Sequence, residues 1–352
     1  MSPEELQARA RQVLATQAYD YYAGGADDEV TLGESRLAWS RLRLRPHVLR
    51  DVAAVSTATT VLGRAVSRPV LVAPMAYQRM AHDDGERAVA RAAAQVGTTM
   101  VVSTLATVAL EDVAAALPDP AGGWFQLYIH RDRGWTAELV RRAVEAGYSA
   151  LVLTVDLPVL GYRRRDEQNS FTLPPGLAMA NVGAPVPAGE GSGLASYASA
   201  ELDPSLTPAD IGWLREISGL PVVVKGVLRG DDAARCVDAG AAAVAVSTHG
   251  GRQLDTAVAT ADALPEVVEA VGDRAEVYVD GGVRLGTDVL KAVALGARAV
   301  LLGRPVLWGL AVGGRQGVVE VLDRLQDELV RAMRLTGAAT LADLTPDLVV
   351  RS

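Results

Sequence analysis

The chain reads as an α/β protein: a (β/α)8 TIM barrel with an N-terminal helical cap and a long lid loop after the fourth strand. Three observations predict this. Eight short apolar segments alternate with helix-like segments, the count for a closed barrel. Those segments are apolar on both faces, as a parallel sheet covered by helices requires. Polar residues and glycines gather just past their C-terminal ends, where such barrels bind ligands. With 352 residues and 49% hydrophobic content, the chain suffices for a single domain spanning 1–352.

Residues 1–67 are the expected cap. A helix is read over 4–22, ending at Tyr19-Asp20-Tyr21-Tyr22 before the breaker Gly24-Gly25. A second helix is read over 27–38. Residues 39–67 read as short strands and connections closing one end of the barrel. The barrel itself spans 68–310. Its strands are Pro69–Ala73, Thr98–Ser103, Gly123–Leu127, Ala150–Val155, Pro221–Lys225, Ala241–Val246, Glu276–Val279 and Ala297–Leu302. Helices fall between them, over 84–96, 109–116, 134–146, 207–217, 230–239, 261–271 and 285–295. One connection is abnormal: 171–206 is rich in Pro, Gly, Ala and Ser and has no Lys or Arg. A long loop at that place is expected to cover the mouth. Residues 311–352 read as C-terminal helices, a long one over 315–335 and then a short one.

Composition narrows the function. A net charge of −8 argues against nucleic acid and anionic membrane as partners. No apolar run reaches the roughly 18 residues of a spanning helix, and no signal segment is read at the start, so a cytoplasmic protein is expected. A single cysteine, Cys236, excludes an intramolecular disulfide. No two-His spacing suggests a metal, and none is expected. The only lysines are Lys225 and Lys291.

The run from Val244 to Asp255 carries the densest chemistry. A strand leads into His249, Gly250, Gly251 and Arg252. Histidine can exchange a proton near neutral pH, and arginine presents a fork suited to a carboxylate. Taken alone, the run reads equally well as a solvated loop. The other strand ends add Pro74, Ala76, Ser103, Gln126, Tyr128, Thr154, Asp156 and Arg163. Asp156 is placed to orient His249, or else to form an internal ion pair. Arg163 is a second candidate carboxylate clamp, and Tyr21 and Tyr128 are hydroxyl donors or plain packing. Lys225 ends an apolar strand, where it suits a Schiff base or an electron-rich ligand. After the last two strands come Asp280-Gly281-Gly282-Val283-Arg284 and Gly303-Arg304. Exposed backbone N–H groups beside arginines there point to a phosphate. His47, His82 and His130 have no such company and read as structural or surface residues.

Five ordered motifs together resemble the FMN-dependent α-hydroxy-acid oxidases and dehydrogenases. They are Phe125-Gln-Leu-Tyr128, Leu153-Thr-Val-Asp156, Val224-Lys-Gly226, Ser247-Thr-His-Gly-Gly-Arg-Gln-Leu-Asp255 and Asp280-Gly-Gly-Val-Arg-Leu-Gly-Thr-Asp288. The resemblance runs from Tyr19 to Pro305. It implies FMN as cofactor, its phosphate on Gly282, Arg284, Gly303 and Arg304, with Asp280 on the ribityl chain. Ser103, Gln126 and Thr154 would contact the ring system, Pro74 and Ala76 its reactive edge, and Lys225 its N1/O2 side. Tyr21, Arg163 and Arg252 would hold the substrate carboxylate, and Tyr128 the substrate oxygen. His249 would take the hydroxyl proton, with Asp156 stabilising the imidazolium. Leu105 stands where glycolate oxidase has Trp, Tyr77 replaces a smaller group, and Tyr162 is added beside Arg163. These changes imply an aryl 2-hydroxy acid, (S)-4-hydroxymandelate or mandelate, as in antibiotic biosynthesis. Ala76 leans toward molecular oxygen as acceptor, giving hydrogen peroxide. Two alternatives stay open: a quinone-type acceptor, and a lysine-dependent aldolase using Lys225. The resemblance also implies a homotetramer.

Overall fold

The computed structural model describes residues 1–182 and 193–351. Eight parallel strands close into a barrel: β1 (Val70–Val72), β2 (Met100–Ser103), β3 (Gly123–Leu127), β4 (Leu151–Thr154), β5 (Val222–Val227), β6 (Ala243–Val246), β7 (Glu276–Asp280) and β8 (Ala299–Leu302). Neighbours follow chain order, and β8 pairs back onto β1 through Val300↔Val70. All eight expected strands are present. Helices follow them at Gly85–Gln95, Leu110–Ala114, Arg133–Glu145, Ala209–Ser218, Gly230–Asp238, Thr260–Val271, Gly286–Ala294 and Arg304–Thr336.

Alternation along each strand divides the core in two. Leu71, Val101, Trp124, Val152, Val223, Ala245, Tyr278 and Leu301, one per strand, fill the barrel's interior. Their sequence neighbours, such as Val70, Val102, Phe125 and Val244, pack outward on the helices. An antiparallel hairpin, Thr59–Val61 with Arg64–Val66, adds Val61 and Val66 to the inner cluster. It plugs the barrel's lower end. This confirms the expected closure by part of 39–67.

Several elements differ from the sequence reading. The first helix is two, Pro3–Val13 and Thr16–Ala23, because Leu14 is extended. The break lets Tyr19 stack on Trp308 at 5.4 Å and buries Tyr21 and Tyr22. That burial outweighs a few helical hydrogen bonds. The next helix starts later, at Val30, and runs to Arg41. A distant carboxylate sets its start: Asp255 accepts the N–H groups of Asp28, Val30 and Thr31 at 3.2, 3.2 and 2.8 Å. The expected lid, 171–206, contains a helix at Gly193–Glu201; its stretch 183–192 lies outside the described residues. Ala-rich sequence favours the helix, and Leu194, Tyr197 and Ala198 share its buried side.

The tail helix, read over 315–335, instead starts at Arg304 and runs to Thr336, broken at Gly313 and Gly314, the latter at φ 55°. The short C-terminal helix is instead two single turns and a strand, Val349–Arg351, paired with Leu42–Leu44. Among the described residues no helix is long and apolar enough to cross a membrane.

Candidate active site

The C-terminal ends of the strands surround one cavity of about 1170 Å³, mouth included. Every residue expected to hold the cofactor or act on the substrate lines it except Asp156, which lies behind His249. Their convergence follows from topology, since all but Tyr21, on the helix Thr16–Ala23, sit on a strand end or in the connection beyond it.

His249 is the centre. Its Nδ1 lies 2.8 Å from Asp156 Oδ1, and its backbone sits in the left-handed region at φ 55°. Its N–H donates to Ser247 Oγ at 3.0 Å. Burial pushes the imidazole below its usual pKa; Asp156 opposes this, and Lys225 and Arg163 add to it. The ring is therefore neutral at pH 7. Burial works against ionising Asp156, but His249 and then Lys225 outweigh it and hold its pKa below the ordinary value. A neutral imidazole beside an ionised carboxylate is a ready proton acceptor.

Lys225 Nζ lies 3.0 Å from Asp280 Oδ2 and donates to Ser247 Oγ at 2.7 Å. Burial would lower its pKa, yet Asp280 and Asp156 win and raise it. A lysine held protonated is a poor Schiff-base nucleophile, which counts against the aldolase alternative. Along the far wall, Gln126 Nε2 donates to Thr154 Oγ1 at 3.1 Å, and its Oε1 accepts from Ser103 Oγ at 3.2 Å. These side chains form a polar row across β2, β3 and β4.

Four guanidiniums share the mouth. Arg163 is buried, its Nη1 has no partner among the described residues, and burial together with Arg252 pushes it down to about 10. Arg252 lies over the Tyr21 ring at 4.8 Å and donates to the carbonyls of Tyr21 and Gly24. Arg304 reaches the carbonyls of Tyr22, Gly250 and Gly24 at 2.8, 2.9 and 2.9 Å. Burial, then Arg252 and Arg284, drive it well below its ordinary pKa. Arg284 donates to the Val283 carbonyl and is pushed down to about 10 by burial and Arg36. Such crowded cations are completed by an anion.

A phosphate-bearing flavin meets these requirements. Gly281 and Gly282 adopt φ 89° and 77°, and a Cβ on Gly282 would collide with the Ser35 carbonyl. The turn therefore needs glycine and presents backbone beside Arg284. Asp280 Oδ1 is buried without a partner among the described residues, as an acceptor for a ribityl hydroxyl would be.

Two expected contributors lie elsewhere. Tyr77 packs behind Tyr21, ring centres 5.4 Å apart, and Tyr162 is half exposed and bonded to Glu167. Neither lines the cavity. A loop neighbour of a site residue need not share its direction. The wall is instead apolar, made by Leu105, Leu157, Leu160, Leu194, Tyr197 and Leu202. The Leu194/Tyr197/Ala198 spacing was a legible helical stripe inside a segment read as loop. His130 is buried, bonded to Tyr197, and His82 and His47 lie away from the cavity. Among the described residues no cluster suited to a metal ion occurs.

Known proteins agree with this geometry. A family profile described as FMN-dependent dehydrogenase matches residues 10–351. An L-lactate oxidase of Nostoc sp. is 54% identical over 347 residues, 97% of this chain and 95% of its own. Human 2-hydroxyacid oxidase 1 is 48% identical over 98% of this chain and 95% of its own. The solved structure of a mandelate oxidase with (S)-4-hydroxymandelic acid superposes with TM-score 0.92 at 44% identity, covering 97% of both chains. The chain therefore belongs to the FMN-dependent dehydrogenase family, as a 2-hydroxy-acid oxidase that uses FMN.

Proposed function

We propose that the protein oxidises an (S)-2-hydroxy acid with an aryl side chain, (S)-4-hydroxymandelate or mandelate, to the 2-oxo acid. The observation that carries this reading is the His249–Asp156 pair at 2.8 Å, facing a cavity shared with Arg163, Arg252 and a leucine-rich wall. Arg163 and Arg252 clamp the substrate carboxylate, with Tyr21 beside them. Tyr128 donates to the substrate's hydroxyl oxygen; burial holds its phenol protonated. His249 Nε2 accepts the hydroxyl proton, and Asp156 stabilises the imidazolium. The apolar wall takes the aryl ring and keeps water from the α-carbon.

FMN, when bound, would supply the two-electron acceptor for the α-carbon, with molecular oxygen as the final oxidant. Gly282, Arg284, Gly303 and Arg304 hold its phosphate, and Asp280 its ribityl chain. Lys225 supplies positive charge beside the ring, while Pro74, Ala76, Ser103, Gln126 and Thr154 line it.

A second reading, L-lactate as substrate, is favoured by the 54% identity to an L-lactate oxidase. Anaerobic titration of the yellow protein separates the two. Bleaching by (S)-4-hydroxymandelate and (S)-mandelate at lower concentrations than by L-lactate or glycolate is expected. Bleaching by lactate alone would transfer the site to the second reading. Peroxide formed per turnover in air tests oxygen as acceptor.

A further inference from the structure

His130 is buried, 1% exposed, and takes no part in the chemistry above. Its Nε2 lies 2.6 Å from the hydroxyl of Tyr197. Burial, opposed only by Asp132, pushes the ring down to about 4. It is neutral at working pH, so one ring nitrogen carries the hydrogen.

Nδ1 is buried with no partner among the described residues. A hydrogen there would be an orphaned buried donor, which folded proteins avoid more strictly than a bare lone pair. The hydrogen therefore belongs on Nε2, and His130 donates to Tyr197 Oη. The hydroxyl's own hydrogen then has no acceptor among the described residues. Burial keeps the phenol protonated, so it remains a donor.

Tyr197 lines the substrate cavity, and its place there is fixed. The end of its helix is clamped to the segment after Tyr128: Arg131 N–H donates to Glu201 O at 2.8 Å, and Asp203 N–H to Ile129 O at 3.0 Å. Its neighbours in the wall, Leu194 and Leu202, are apolar and leave its hydroxyl as a lone donor.

Resting on the aryl-acid reading above, we propose that Tyr197 is a specificity-determining residue, with His130 as its positioning residue. Its O–H recognises an oxygen at the far end of the substrate's side chain, the phenolic position of a 4-hydroxyaryl acid. His130 orients that donor by occupying the phenol's acceptor side.

The test compares kcat/KM for (S)-4-hydroxymandelate and (S)-mandelate in the FMN-loaded protein. Tyr197→Phe should lower the ratio of the two about 3- to 10-fold, the size of one buried hydrogen bond. The kcat/KM for mandelate, whose ring packs on the same wall, should fall less than that for 4-hydroxymandelate. His130→Gln retains an N–H donor and should keep the ratio, while His130→Phe should lose it. In ¹⁵N spectra the His130 ring should carry its hydrogen on Nε2. An unchanged ratio in Tyr197→Phe, or equal losses on both acids, would overturn the proposal, as would an Nδ1-protonated ring. A wild-type protein inactive on both aryl acids would instead remove the substrate reading beneath it.

Discussion

At the scale of single residues, the site depends on where protons rest. His249→Ala removes the proton acceptor, so flavin bleaching by substrate should slow by roughly 10²- to 10⁴-fold. Stopped-flow absorbance under anaerobic conditions measures it, and near-normal bleaching would rule out the base role. The pH profile carries its own sign. Because burial depresses the His249 pKa, the residue takes up its proton only below the ordinary histidine range. The acid limb of kcat/KM should therefore lie below about pH 6.5. Asp156 raises that pKa, so Asp156→Asn should move the limb further toward acid while lowering the plateau. A shift toward neutral pH would contradict the pair. The His–Asp–Arg constellation was legible in sequence because barrel topology sends every strand end to one mouth. The misread tyrosines, Tyr77 and Tyr162, show the limit. Whether a loop side chain turns inward depends on partners such as Glu167, which no spacing encodes.

At the scale of elements, two contacts decide whether the cap meets the barrel. Asp255 supplies the start of the helix Val30–Arg41 from more than 220 positions away. Asp255→Ala should cost about 1–2 kcal/mol of local stability, on the size of a lost helix cap. Faster hydrogen exchange at Asp28, Val30 and Thr31 would report it, and unchanged exchange would refute the cap. Gly282 presses against the Ser35 carbonyl on the same helix. Gly282→Ala should both displace that helix and deform the turn beside Arg284, so the purified protein should lose its yellow colour. Full flavin occupancy would show that the turn tolerates a Cβ. The barrel strands were readable because both faces are apolar. The break at Leu14 was not, since no glycine or proline marks it. Stacking of Tyr19 on Trp308 fixes it, and that partner is nearly 300 residues distant.

At the scale of the whole molecule, contacts at both ends of the barrel join it to the cap. The hairpin Thr59–Val66 seals the lower end with Val61 and Val66. At the upper end, Arg252 and Arg304 reach back to the carbonyls of Tyr21, Tyr22 and Gly24. The cap therefore furnishes part of the cavity's wall, and Tyr21 and Tyr22 line it. A chain lacking residues 1–25 should fail to retain FMN even where circular dichroism still reports a barrel. Retained flavin would show the cap to be dispensable.

The bonds from Arg304 to Tyr22 and Gly24 span about 280 positions of chain. During translation Tyr22 and Gly24 wait for a partner that emerges about 280 residues later. At roughly 5–20 residues per second, tens of seconds separate the two. The mouth of this enzyme is thus sealed only after Arg304 has emerged, and flavin capture follows that closure.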